Sequence, residues 1–126
     1  MNTELNPLED FEIDLNSLDE EFRKLPRFIN AYSRLYAQAV YEYETSKSLW
    51  KEIRGDVFKS IVESSEKKPS DSVIESEVVT DEKVVQAHKE MREAERDMNT
   101  IKGHCVSMQA KKDMLIQLGA NARKEV

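Results

Sequence analysis

The chain has 126 residues, of which 39% are hydrophobic and 35% charged, with only three glycines, three prolines and a net charge of −6. This length favours one domain, and the scarcity of turn residues favours an all-α protein. The single cysteine, Cys105, excludes an internal disulfide and a cysteine-only zinc site. No apolar run approaches the ~18 residues that span a bilayer, and the N-terminal sequence does not resemble a signal peptide. We therefore expect a cytoplasmic protein without a membrane partner.

The charge is unevenly distributed along the chain. Residues 1–22 carry eight acidic side chains and no basic one, so residues 23–126 carry 19 basic against 17 acidic side chains. Residues 23–61, the basic segment, hold eight bases against four acids, whereas residues 62–82 hold seven acids against two bases. Because phosphate binding depends on lysine and arginine, the basic segment is the part of the chain to consider for nucleic acid.

The N-terminal part is predicted to be an acidic arm at residues 1–16, followed by a short helical turn. Ser17 and Glu20 form a capping box, which satisfies free amide donors at a helix start. Pro26 lacks an N–H and disfavours a helical residue before it, so it should end or redirect this turn. The main first helix is then predicted at about residues 27–62.

Apolar residues recur at alternating spacings of four and three along the first helix, with Ser46 as the one polar interruption. The positions are Leu25, Ile29, Tyr32, Tyr36, Ala39, Tyr43, Ser46, Trp50, Ile53 and Val57. This period predicts one long amphipathic helix. Residues 64–79 contain Pro69 and several serines and have no helical period, so they are predicted to be a loop.

The second helix is predicted at about residues 81–118, with the Thr80 hydroxyl capping its first amides and Gly119 providing the C-cap. Its seam is Val84, Ala87, Met91, Ala94, Met98, Ile101, Cys105, Met108, Lys112 and Leu115. Large aromatic side chains on one helix would face alanine and methionine on the other. The expected fold is therefore an all-α, coiled-coil-like antiparallel hairpin at residues 17–119, followed by a C-terminal tail at 120–126.

The apolar stripe of the first helix is wider than one facing helix can cover. Phe28, Leu35 and Leu49 lie on the flank of its seam, and Phe58 and Ile61 lie beyond it. Uncovered stripes of this kind usually mark an interface. The sequence therefore predicts a homo-oligomer larger than a dimer, with Phe28, Leu35 and Leu49 at the interface.

The sequence contains no motif typical of catalysis or metal binding. His88, His104 and Cys105 do not complete a zinc ligand set, so His88 is expected at the edge of the seam and Cys105 in the core. There is no phosphate-binding glycine loop, nucleophile elbow or HExxH motif. Carboxylates such as Glu93 and Asp97 belong to a solvated helix face. We therefore expect that the protein is not an enzyme and that it has no catalytic residue, bound metal or cofactor.

The stretch LWKEIRGDVFKS, residues 49–60, has two interpretations. In one, Trp50 belongs to the core, Gly55 makes a local bend, and the bases are solvated surface charges. In the other, the bases share one helical face and a kink at Gly55 presents an aromatic ring beside them. Cations interleaved with a ring suit single-stranded DNA, because cations contact phosphates and rings stack on bases. The predicted nucleic-acid-binding residues are Lys47, Lys51, Arg54, Phe58 and Lys59.

Several segments follow one another in an order found in a known family. They are FEIDLNSLDEEFRKLPRFINAYSRLY, a long helix ending in IRGDVF, a linker, TDEKVVQAHKEMREAERD and MLIQLGANARKE, within residues 11–123. This order resembles the UvsY family of phage recombination mediators. The family's single-strand-binding motif, K-x-R-x-D-aromatic-aromatic, matches at Arg54, Asp56 and Phe58 and departs at Glu52 and Val57. Nearby lysines would have to supply the missing charge.

The resemblance implies a function in DNA recombination and repair. It implies a ring-like oligomer that binds single-stranded DNA and helps a RecA-type recombinase replace single-strand-binding protein in the host cytoplasm. Two other functions stay open. A coiled-coil adaptor or scaffold would use the seams and leave the basic segment as surface. An acidic inhibitor or DNA mimic would act through residues 4–21, where EDFEID alternates acids with apolar side chains, although this arm could also be a solubilising tail or fold back on the protein's own bases.

Overall fold

The structure is a computed structural model that describes residues 4–124, and these residues form four α-helices and no strand. The helices are α1 (Pro7–Asp10), α2 (Leu18–Ser64), α3 (Asp71–Thr80) and α4 (Glu82–Lys124). The predicted all-α class is confirmed. None of the helices within these residues combines the length and the apolarity required to cross a membrane.

The chain divides into two compact units. The first unit holds the described residues up to Gln38 and from Asn99 onward, and the second unit spans Ala39–Met98. In the first unit α2 and α4 run antiparallel, because the Phe22 ring lies beside Gly119 whereas Tyr32 lies beside Cys105. In the second unit α2 packs against both α3 and the beginning of α4.

Helix α2 runs without interruption through Pro26, so the prediction that this proline ends a short first turn is wrong. A proline inside a helix removes one backbone hydrogen bond and costs about 3 kcal/mol. Leu18, Leu25 and Phe28 lie on both sides of it and pack into one apolar cluster. Their burial offsets the cost of the proline, and the long helix therefore starts before Pro26 rather than after it.

The apolar seams of α2 and α4 lie at the positions predicted from the sequence. All ten predicted seam positions of α2, from Leu25 to Val57, are buried or half-buried. The same is true of the ten positions of α4 from Val84 to Leu115. Spacings of three and four residues therefore identify the contact faces of both long helices.

The predicted loop at residues 64–79 is mostly helical, because α3 occupies its second half. Ile74 and Val78 of α3 are completely buried, and they lie four residues apart on one face of the helix. They form a cluster with Val84 and the half-buried Trp50, Ile53, Val57, Ile61 and Val62. A ten-residue helix is marginal by itself, so α3 depends on this tertiary contact and has little signal in its own sequence.

The N-terminal end of α4 is capped by Asp81 and not by Thr80. The Asp81 carboxylate accepts hydrogen bonds from the backbone N–H groups of Lys83 and Val84, at 2.9 and 3.2 Å. Thr80 is the last residue of α3, and its hydroxyl donates to carbonyl groups in the last turn of that helix. The helix α3, which was not predicted, thus changes which residue is available as the cap.

The C-terminal end of α4 lies beyond the predicted stop at Gly119. The helix continues to Lys124, so residues 120–124 of the predicted tail are helical, and residues 125–126 lie outside the described part of the chain. A Cβ at Gly119 would lie 3.2 Å from the Phe22 ring. This glycine therefore serves close packing between the two long helices rather than helix termination.

The predicted acidic arm, residues 1–16, packs on the first unit over its described part, residues 4–16. Leu5, Phe11 and Ile13 lie against the buried cluster of Leu25, Tyr32, Met108 and Leu115. The Phe11 ring lies 5.5 Å from the Tyr32 ring and 5.7 Å from the His104 ring, between centroids. The arm thus folds back onto the chain mainly through apolar side chains, and not onto the basic segment as one of the open possibilities had it.

One lysine of α4 is buried beneath this arm. Lys111 is 7% exposed; its Nζ donates to the Asp10 carbonyl at 2.7 Å and lies 2.9 Å from Oε2 of Glu21. This ion pair lacks hydrogen-bond alignment, since Glu21 Oε2 has no hydrogen-bond partner among the described residues. The Tyr32 hydroxyl donates to the Asp10 carboxylate at 2.7 Å, and burial together with Asp10 raises the pKa of Tyr32. The seam pattern includes Lys112, which is half-buried, but it did not predict that the neighbouring Lys111 is buried.

We expect Lys111→Ala to lower the free energy of unfolding by about 3 kcal/mol, because it leaves the Glu21 carboxylate buried without its counter-charge. Urea unfolding followed by circular dichroism measures this change. Lys102→Ala removes an exposed lysine from the same helix and should change the free energy by less than about 0.5 kcal/mol. Equal and small effects of the two substitutions would contradict the assigned role of Lys111.

Candidate nucleic-acid interface

The five predicted nucleic-acid-binding residues all belong to α2 and to the second unit. They are Lys47, Lys51, Arg54, Phe58 and Lys59. The first four are separated by four, three and four residues, so they share one helix face, which we call the basic face. Lys59 follows Phe58 directly and lies about 100° further around the helix. The structure therefore brings four of the five together and leaves Lys59 to one side.

The side chains of the basic face are accessible to different degrees. Lys51 is exposed, Phe58 is 37% exposed, and Lys47 and Arg54 are half-buried. The Lys47 ammonium lies 5.8 Å from the centroid of the Tyr43 ring, a cation–π contact. The face thus combines positive charge with accessible aromatic carbon.

Gly55 is not required for the presentation of this face. Helix α2 continues through it to Ser64, its φ is not positive, and an added Cβ would meet no atom within 4 Å. The predicted kink at Gly55 is therefore unnecessary, because regular helical spacing already places Phe58 beside Arg54.

Arg54 makes both an ion pair and a contact with an aromatic ring. Its guanidinium group forms an ion pair with Glu75 of α3 and lies 5.7 Å from the centroid of the Trp50 ring. The side chains of Arg54 and Glu75 are 38% and 47% exposed, so the ion pair is open to solvent and to competing anions. Glu75 was not predicted as a partner of Arg54, because its segment has no helical period.

A surface cleft of about 310 Å³ opens beside Arg54. It is lined by Trp50, Arg54, Val79, Val84, Val85 and His88. The rings of Trp50 and His88 lie 5.2 Å apart between centroids and are tilted by 56°. We call this the Trp50 cleft. Trp50 was expected in the core and His88 at the edge of the seam; Trp50 is half-buried, His88 is exposed, and the two meet at the cleft.

The second unit also has an acidic groove, which no residue of the basic face lines. This groove, of about 590 Å³, includes Asp56, Glu77 and Asp81 among its lining residues. Three carboxylates with the single lysine Lys83 give it a negative character, which repels phosphate. A strand that binds this unit would therefore follow the side of α2 that carries Lys47, Lys51 and Arg54.

The other histidine and the cysteine lie in the first unit. The His104 ring lies 5.9 Å from the Tyr32 ring, and the Cys105 thiol donates to the Tyr32 carbonyl at 3.5 Å. Burial raises the pKa of the Cys105 thiol, so it is less reactive than an exposed thiol. Within residues 4–124 no group of three or more His, Cys, Asp or Glu side chains is arranged to hold a metal. Glu93 and Asp97 are exposed.

The three predicted interface residues have different surroundings. Phe28 is half-buried and packs on the apolar cluster of the first unit, whereas Leu35 and Leu49 are 40% and 45% exposed. Ile61, part of the same wide stripe, packs on the cluster formed by α3. The prediction that the extra stripe has no partner within the chain is therefore wrong for Phe28 and Ile61, while Leu35 and Leu49 remain accessible.

No protein-family model matches this chain, and neither a curated protein nor a solved structure matches it. The relation to the UvsY family therefore stays a prediction from the sequence. Function has to be inferred from the basic face, the Trp50 cleft and the charges that surround them.

Proposed function

We propose that the protein is a single-stranded-DNA-binding recombination mediator, which helps a RecA-type recombinase replace single-strand-binding protein. The DNA-binding part of this proposal is carried by one observation: Lys47, Lys51, Arg54 and Phe58 share one face of α2. A line of cations with an accessible ring is the composition of sites that bind single strands without sequence preference. The mediator role comes from the resemblance to the UvsY family.

A single strand fits this face better than a duplex does. The bases of a duplex are stacked inside it, so the ring of Phe58 would have little to contact, whereas unpaired bases can reach it. The basic face is also one helix wide and carries three cations, which restricts the number of phosphates that can be neutralised. Binding should therefore be of moderate affinity and strongly salt-dependent.

The two alternative functions have less support. An inhibitor acting through the acidic arm would need the apolar side chains of EDFEID, but Phe11 and Ile13 pack on the first unit and Asp10 accepts a hydrogen bond from Tyr32. An adaptor or scaffold would use accessible apolar residues such as Leu35 and Leu49 and would not bind DNA. DNA binding therefore discriminates between the mediator and the adaptor.

Fluorescence anisotropy with labelled oligonucleotides across a salt series tests the proposal. We expect preference for single-stranded over duplex DNA, without base specificity, and a slope of log affinity against log salt of about −2, as for three phosphate contacts at about −0.7 each. Lys51→Ala should flatten this slope by about one contact. Lys59→Ala removes the same charge from outside the basic face, so its effect should be smaller.

Two outcomes would contradict this proposal. If single strands do not bind even at low salt, the mediator loses its mechanism and the adaptor function is preferred. If Lys51→Ala and Lys59→Ala change the slope equally, the basic face is not the contact surface. Circular dichroism of both variants controls for folding, because exposed lysines contribute little to stability.

The proposal includes assembly into a homo-oligomer larger than a dimer. Leu35 and Leu49 are both accessible and lie fourteen residues, or two heptads, apart in the sequence. Phe28 precedes Leu35 by seven residues on the same face, although it is already half-buried in the first unit. Accessible leucines in register along a helix are typical of helix-to-helix contacts between chains.

We expect Leu35→Glu and Leu49→Glu each to reduce the oligomer mass in sedimentation velocity while helix content persists, because a charge at an apolar interface opposes association. Val106→Glu places the same charge at an exposed valine of α4 and serves as the control. A monodisperse monomer of the unmodified protein at micromolar concentration would refute the assembly, as would equal dissociation by the control.

A further inference from the structure

We propose that the Trp50 cleft binds one unpaired nucleobase of the DNA strand, stacked against the Trp50 ring, while Arg54 exchanges Glu75 for the neighbouring phosphate. This inference rests on the proposed function and adds a base-binding site to it. None of the five residues predicted from the sequence supplies the ring of this site, because Trp50 was expected in the core.

The cleft has the shape and chemistry for one planar aromatic group. Its volume of about 310 Å³ is at the small end of ligand-binding pockets. Val79, Val84 and Val85 provide apolar walls, and the tilt of 56° between the rings of Trp50 and His88 means that they are not stacked face to face. A base can therefore contact both rings, in the way that base–aromatic stacking is used by single-strand-binding proteins.

The orientation of Trp50 is restrained by packing within the chain. One part of its side chain packs on the buried cluster of Ile74, Val78 and Val84, and the side chain as a whole is half-buried. A ring held in this way loses little conformational freedom when a base stacks on it. His88 is exposed on α4 and completes the cleft from the opposite helix.

A phosphate site adjoins the cleft. Arg54 lines the cleft and contacts Trp50, so a base held there places its phosphate within reach of the guanidinium group. In the structure the Arg54 guanidinium group is paired with Glu75, in an ion pair that is open to solvent. Because exposed ion pairs are weak and arginine binds phosphate with two parallel hydrogen bonds, the exchange is favourable. Lys51 and Lys47 lie on the same helix face, where they can contact the next phosphates along the strand.

Trp50 is the sole tryptophan of the sequence, so its fluorescence reports directly on the cleft. The experiment titrates the protein with an oligo(dT) and with an abasic oligonucleotide of the same length, and follows anisotropy of the labelled strand and Trp50 emission in parallel. Both strands should bind through their phosphates. Only oligo(dT) should quench Trp50, and it should bind about tenfold more tightly, within the range measured for stacking of one base.

Two variants, each with a matched control, test the base-binding cleft and the phosphate site separately. His88→Ala should remove most of the advantage of oligo(dT) over the abasic strand, whereas Gln86→Ala, an exposed neighbour on α4, should retain it. Glu75→Gln should strengthen binding of both strands by about threefold relative to Glu77→Gln, because both substitutions remove one charge from α3 but only the first frees Arg54.

The outcomes separate this inference from the proposed function. Equal affinity for oligo(dT) and the abasic strand, with Trp50 emission unchanged, would overturn the base-binding cleft and leave single-strand binding intact. Equal effects of Glu75→Gln and Glu77→Gln would overturn the exchange at Arg54. If neither oligonucleotide changes the anisotropy, both the mediator function and the cleft are refuted.

Discussion

In each unit α2 presents a wider apolar stripe than α4 alone can cover, and a third segment of the chain covers the excess. In the first unit this segment is the N-terminal one, whose Phe11 and Ile13 lie against the cluster of Leu25 and Tyr32. In the second unit it is α3, which buries Ile74 and Val78 completely. Both cores therefore have three elements, and burial of apolar surface within the chain replaces part of what a partner would otherwise have to cover.

Both covering segments are acidic, but only α3 brings a carboxylate to a base of a long helix, because the carboxylate paired with Lys111 belongs to Glu21 of α2 itself. In the first unit Lys111 and Glu21 form an ion pair with side chains 6% and 13% exposed. In the second unit Arg54 and Glu75 form one with side chains 38% and 47% exposed. The first pair is enclosed and serves the fold, whereas the second can exchange with an anion from solution. Because of this difference we propose the DNA contact in the second unit, although both units contain basic residues.

The parts of the structure that depend on local periodicity could be predicted from the sequence. The seams of both long helices and the shared face of Lys47, Lys51 and Arg54 follow from spacings of three and four residues. The parts that depend on tertiary contacts could not. Pro26 is tolerated because of packing on both sides of it, and α3 exists because of the core it covers. The Trp50 cleft joins residues of three helices, one of which was predicted to be a loop.

We propose above all that single-stranded DNA contacts the basic face and the Trp50 cleft of the second unit. The most direct measurement is ultraviolet cross-linking of oligo(dT) to the whole protein, with the attached residues identified by mass spectrometry. The expected result is cross-links at Trp50, Phe58 and His88, the aromatic side chains that lie on the basic face or line the cleft. Cross-links confined to the first unit, for example at Phe11 or His104, would contradict the claim even if the protein binds single strands.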